Sequence, residues 1–115
     1  MSRRVVITGI GAVTPIGNSV SEFWENLKKG KNGISEISLF DTEKFNVKLA
    51  AESNIDLNSF FTTKELNKMD RFSSFALIAT DEAIKMSGIN SSNSDYNKIG
   101  VIIGSGIGGM QTLEK

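Results

Sequence analysis

Residues 63–86 constrain this chain most. Thr62 and Glu65 have the spacing of a capping box, so a helix is predicted to open near Thr63 and to run to Met86, with Gly88 as its stop. Phe72, Phe75, Ala76, Ala79, Ala83 and Met86 form one stripe of that helix, while Leu77, Ile78 and Ile84 make its other sides apolar as well. A helix apolar nearly all round is buried on more than one side. It belongs in the middle layer of a large domain rather than on the flank of a small one. A break near Asp70 would divide it into two helices.

The flanking segments are of a different type. Arg4–Ile7 is apolar and β-branched, and Gly9 and Gly11 end it, which predicts a buried strand. Gly9, Gly11 and Pro15 are expected to shape the turn that follows. Ser19 and Glu22 have capping-box spacing, and Val20, Phe23, Trp24 and Leu27 fall on one helical face, with Trp24 expected in the core. Lys28 and Lys29 suit the last turn of this helix, and Gly30 suits its end. Asn32-Gly33 signals a turn, and residues 34–44 lack a period and read as loop. Phe45, Val47, Leu49 and Ala51 alternate with Asn46, Lys48 and Ala50, predicting a short strand with one buried face. Asn90–Asn97 is polar and turn-like. Ile99–Ile103 is a second apolar strand segment, and Gly104 ends it. Strand, helix, strand, helix, strand is the order of an α/β layered fold.

Composition removes several chemistries. There is no Cys and no His among the 115 residues. Disulfides, thiolate zinc sites and cysteine nucleophiles are therefore absent, together with the commonest general base and metal ligand. No run of alternating carboxylates resembles a calcium loop, and no metal is expected. Thirteen basic and thirteen acidic side chains cancel, which argues against nucleic acid and anionic membrane as partners. Ser2-Arg3-Arg4 before an apolar run superficially suggests an export signal, but Gly9, Gly11 and Pro15 interrupt that run. No stretch approaches the roughly 18 apolar residues of a membrane span, so a cytoplasmic location is expected.

Gly104-Ser105-Gly106-Ile107-Gly108-Gly109 contains G-x-G-x-x-G after a strand. By itself the motif fits either a pyrophosphate cradle at a helix start or a backbone crossing so tight that only glycine fits. Lys64, Lys68 and Arg71 are spaced i, i+4, i+7, so they are expected to share one side of a helix. Such a row is either a solvated face or a docking surface for an acidic partner.

Taken together and in order, five segments resemble the beta-ketoacyl-acyl carrier protein synthases. They are Arg3–Gly17, Gly33-Ile34, Phe40-Asp41, Lys68-Met69-Asp70-Arg71-Phe72 and Gly104–Gly109. Thr14-Pro15 and Ile107 favour the type II subgroup, and polyketide ketosynthases share the opening. The resemblance spans the chain and corresponds to the first quarter of such enzymes, an incomplete N-terminal half of the synthase N-terminal domain (residues 1–115).

This resemblance implies the N-terminal part of a thiolase-like layered α-β-α-β-α fold and a homodimer. It implies an acyltransferase that elongates fatty acyl chains by decarboxylative condensation with malonyl-acyl carrier protein, without a cofactor. It also implies that the Cys nucleophile and two His residues lie beyond this segment, so no catalytic residue is assigned here and the isolated chain is expected to be inactive. Two sets of residues do carry over. Ile107 matches the residue that closes the acyl pocket and limits chain length. Lys64, Lys68 and Arg71 match the surface that docks the acyl carrier protein, although Asn67 stands where a basic residue is common. A short non-enzymatic module that binds the carrier protein, and a nucleotide-binding piece built on the glycine loop, are the rival readings.

Overall fold

The computed structural model describes residues 3–90 and 92–114. It divides into two compact units, Met1–Gly11 with Leu57–Lys115, and Ala12–Asp56.

In the second unit the chain turns at Thr14-Pro15-Ile16-Gly17. The Thr14 and Gly17 backbones exchange hydrogen bonds of 2.8 and 3.3 Å, and Pro15 takes the turn position that its fixed φ favours. Helix α1, Val20–Lys28, follows. Ser19 caps it by accepting from the Glu22 N–H at 3.2 Å. Glu22 reaches back one residue further than the expected box, its Oε2 accepting from the Asn18 N–H at 2.8 Å. The turn seats on α1 through Asn26 Nδ2, which donates to the Ile16 carbonyl at 2.5 Å. Gly17 lies against the Phe23 backbone, where a Cβ would collide. That arrangement covers the Phe23–Asn26 side and leaves Trp24 56% exposed, so Trp24 is not the core residue its position predicts. Gly30 ends the helix at φ +65°.

Asn32 Oδ1 accepts from the Ile34 N–H at 3.0 Å, making the turn that Asn32-Gly33 signals. β1 (Ser35–Glu36) then pairs antiparallel with β2 (Leu49–Ala50), Ser35 opposite Ala50 and Glu36 opposite Leu49. The ladder interrupts the expected loop and is much shorter than the expected strand. Phe45, Val47 and Leu49 stay exposed, so the predicted buried face is absent. Glu52 holds the chain just past β1, its carboxylate accepting from the Ser38 N–H and hydroxyl, the latter at 2.7 Å. Phe40 and Phe45 meet edge to face with centroids 5.6 Å apart, fixing the intervening loop.

The first unit is built on the helices that residues 63–86 predict. α2 (Thr63–Leu66) opens with a complete capping box, in which Thr62 and Glu65 each accept from the other's backbone N–H. The helix breaks at residues 67–70, with Asn67 as C-cap of α2 and Asp70 as N-cap of α3 (Arg71–Ser87). Both residue types compete with helical backbone bonding and favour helix ends, which locates the break. Gly88 ends α3 in the left-handed conformation at φ +71°, its N–H donating to the Ile84 carbonyl at 3.1 Å. Asn90 and Asn93 complete this end, their Nδ2 groups donating to the Gly88 carbonyl at 3.0 and 2.8 Å. A short 3₁₀ turn, Tyr96–Lys98, follows, and α4 spans Met110–Leu113.

Gly9 and Gly11 do not act as turn residues. Among the described glycines only Gly30, Gly88 and Gly108 have positive φ. Instead, a Cβ on Gly9 would strike the Ala83 carbonyl, and one on Gly11 the Ala79 carbonyl. The two glycines thus let an extended segment lie directly on the α3 backbone, running antiparallel to the helix. Two extended residues advance about 6.6 Å, close to the roughly 6 Å of four helical residues, so 9 and 11 register with 83 and 79.

The two predicted outer strands do not form. Arg4–Ile7 and Ile99–Ile103 have no ladder partner among the described residues, and Val5 and Ile102 are 94% and 99% exposed. The apolar faces of α3 are likewise half open, with Ile78 and Ser74 its buried residues. Ile78 in the first unit and Ile55 in the second are the buried apolar side chains among the described residues. No described helix is long and apolar enough to cross a membrane.

Two expectations follow, both for the full-length protein carrying this chain. Gly11→Ala should cost about 1–3 kcal/mol, because its Cβ meets backbone that cannot swing away; an unchanged urea midpoint would refute the close approach. The second concerns pH. The Thr62 side-chain hydrogen bond, then its backbone N–H, hold the Glu65 carboxyl below its ordinary value of 4.5. Because the folded value is depressed, the cap contributes fully above pH 4.5 and is lost as pH falls through that lowered value. Carbon NMR of the Glu65 carboxyl should give a midpoint under 4.5, and a midpoint at or above it would contradict the cap.

Candidate functional site

The break between α2 and α3 redistributes the three cations that the sequence places on one helix. Lys64 belongs to α2, Lys68 to the break and Arg71 to the first turn of α3. They do not share one helical face, because four non-helical residues reset the phase between Lys64 and Arg71. The Arg71 guanidinium lies 4.9 Å from the centre of the Phe75 ring, which orients it along the helix surface. Lys68 and Arg71 border a hollow of about 320 Å³, with Asn67, Asp70 and Thr112 also on its wall. Lys64 stands outside that wall, exposed on α2.

A smaller hollow of about 160 Å³ adjoins it and is walled by Asp70, Arg71, Phe72, Gly108 and Gly109. The structure therefore brings the basic segment and the glycine loop to one place, and Asp70 and Arg71 line both hollows. Separation along the chain hides this: the hydrogen bond from Thr112 Oγ1 to Asp70 Oδ1, 2.5 Å long, joins residues 42 positions apart. The visible signal in the sequence is Asp70 itself, a carboxylate at a helix start.

The glycines of the loop have separable reasons. Gly108 takes φ +83°, which a side chain rarely adopts. Gly109 lies so close to the Asp70 carboxylate that any Cβ there would overlap it. Ser105 Oγ accepts from the Gly108 N–H at 3.1 Å, closing the turn that carries Ile107. The pyrophosphate reading fares badly in this geometry, since a phosphate at the end of the loop would face the Asp70 carboxylate, a like charge. What Gly109 admits is the close approach of the Asp70 side chain. Ile107 itself is 78% exposed on the loop, among Val101, Ile102 and Ile103, which are exposed as well.

Comparison with known proteins identifies the family. Residues 2–115 match the family described as the beta-ketoacyl synthase N-terminal domain. The chain is 47% identical over 114 residues to 3-oxoacyl-acyl-carrier-protein synthase 2 of Staphylococcus aureus strain N315, which covers 98% of this chain and 28% of that protein. It is 41% identical over 113 residues to the synthase 2 of a Synechocystis strain, covering 97% of this chain and 27% of that one. Among solved structures, the ishigamide ketosynthase/chain length factor aligns with a TM-score of 0.70 and 32% identity over 79% of this chain and 23% of its own. The chain thus spans under a third of the length of these curated relatives. The ketosynthase likeness bears out the thiolase-like α/β fold that the family resemblance implies. On a match running from residue 2 to residue 115, the chain belongs to the beta-ketoacyl synthase family, within the N-terminal domain of that family.

Proposed function

We propose that this chain forms the opening part of a 3-oxoacyl-acyl carrier protein synthase of fatty-acid elongation, working in the cytoplasm as a homodimer. The observation that carries this reading is likeness along the whole chain, 47% identity over 98% of it, to a synthase of that name. In such an enzyme an acyl group is held as a thioester, and loss of CO₂ from a malonyl thioester gives the carbanion that attacks it. These 115 residues contain no Cys and no His. Their contribution is therefore to bind and position, and by themselves they do not condense.

Two contributions are proposed. The exposed ammonium of Lys64, with Lys68 and Arg71 beside the larger hollow, supplies positive charge for an acidic acyl carrier protein. Charges at such a rim act on encounter and weaken with salt. Ile107, a branched apolar side chain on a turn flanked by glycines, closes the end of the acyl pocket in the complete enzyme. A polyketide ketosynthase is the second reading, favoured by the 32% identity to a ketosynthase/chain length factor.

The full-length protein should extend acyl carrier protein-bound primers with malonyl-acyl carrier protein, and failure to do so would overturn the reading. Charge reversal at both Lys64 and Lys68 should raise KM for the carrier substrate about tenfold at low salt, the loss of roughly 1.4 kcal/mol of pairing. An unchanged KM at low salt would remove the docking role. Ile107→Phe should block long acyl primers while short ones still react. Undiminished use of long primers by that variant would show that Ile107 does not bound the pocket.

A further inference from the structure

We infer that Asp70 is a positioning residue, which through Thr112 and Gly109 fixes the glycine loop and thereby the stance of Ile107. The inference deepens the proposed function and rests on its assignment of Ile107 to the acyl pocket.

Asp70 occupies the N-cap of α3, where a carboxylate ordinarily accepts from an N–H of the first turn. It makes no such side-chain bond. Only its backbone carbonyl serves the helix, accepting from the Ser74 N–H at 3.1 Å. The carboxylate is turned outward instead. Oδ1 accepts from the Thr112 hydroxyl at 2.5 Å, a length typical of a hydroxyl donating to an ionised oxygen. The same carboxylate lies against Gly109, its oxygens standing where a Cβ would be.

These two contacts bracket α4 and tie it to the start of α3. On the near side of Ile107, Ser105 Oγ accepts from the Gly108 N–H and closes the loop on itself. Ile107 therefore sits on a turn with one internal closure and one external tether, and the tether is Asp70. Gly104 and Gly106 have open space where a Cβ would stand, so no packing of their own holds the loop at those points among the described residues. Removing the tether should free the loop without disturbing α3, which keeps its own backbone hydrogen bonds.

Thr112→Val keeps the shape of the side chain and deletes the hydroxyl, so it tests the tether with little risk to folding. In the full-length protein two quantities are to be measured. The first is amide hydrogen exchange at residues 105–110, with residues 75–85 of α3 as internal reference. The second is the ratio of kcat/KM for a long over a short acyl primer. Thr112→Val should accelerate exchange in the loop by at least about threefold, leave α3 unchanged, and alter the primer ratio by a similar factor, as loss of one hydrogen bond requires. Thr112→Ser should restore both, and Asp70→Ala combined with Thr112→Val should add little to either single change. Unchanged loop exchange and an unchanged primer ratio in Thr112→Val would overturn the inference, as would failure of Thr112→Ser to restore them. If loop exchange responds and the primer ratio does not, the step from tether to chain-length selection is refuted. Absence of condensation by the unmodified full-length protein would sink the proposed function instead, and loop exchange would still decide the tether.

Discussion

The first unit depends on backbone meeting backbone. Gly9 and Gly11 lie against the Ala83 and Ala79 carbonyls of α3 with no side chain between. Small residues on both surfaces make this possible: glycine on the extended segment, alanine on the helix. The near equality of two extended steps and four helical steps keeps both contacts in register. Arg4–Ile7, just before this contact, has no ladder partner among the described residues, and Val5, Val6 and Ile7 are exposed.

This explains what the sequence reveals and what it conceals. Helix ends are local chemistry, and they are legible. Ser19, Thr62, Gly30 and Gly88 act at the positions their side chains, or lack of them, dictate. The break near Asp70 follows from Asn67 and Asp70, whose side chains favour helix ends. Strands are different, because a strand exists only through a partner. Arg4–Ile7 and Ile99–Ile103 have the composition of buried strands, yet pairing decides, and the described residues supply none. Conversely β1 is polar and aperiodic, and it forms because its backbone meets Leu49–Ala50. Trp24 shows the same limit for burial. Its helical face is correctly read, but the turn at residues 14–17 covers only the Phe23–Asn26 side.

The site was legible in its parts and not in its assembly. The glycine loop and the Lys68–Phe72 segment are each recognisable, but the 42-residue gap between Asp70 and Thr112 carries no periodic trace. The helical spacing of Lys64, Lys68 and Arg71 misleads, since i, i+4, i+7 has meaning only on an unbroken helix. What the fold assembles is a junction: cations at the break, a carboxylate that crosses to the loop, and an apolar residue on that loop. It contains neither Cys nor His, and the chain belongs to a family whose curated members it spans by under a third.

The central claim is that the described residues define helices, caps and a backbone crossing without closing a core of their own. Equilibrium urea unfolding of the 115-residue chain, followed by both far-UV circular dichroism and Trp24 fluorescence beside the full-length protein, tests it most directly. The account expects broad transitions in the short chain that differ between the two probes, and a steep cooperative loss of structure in the full-length protein. A single steep transition in the monomeric 115-residue chain, coincident by both probes, would contradict it.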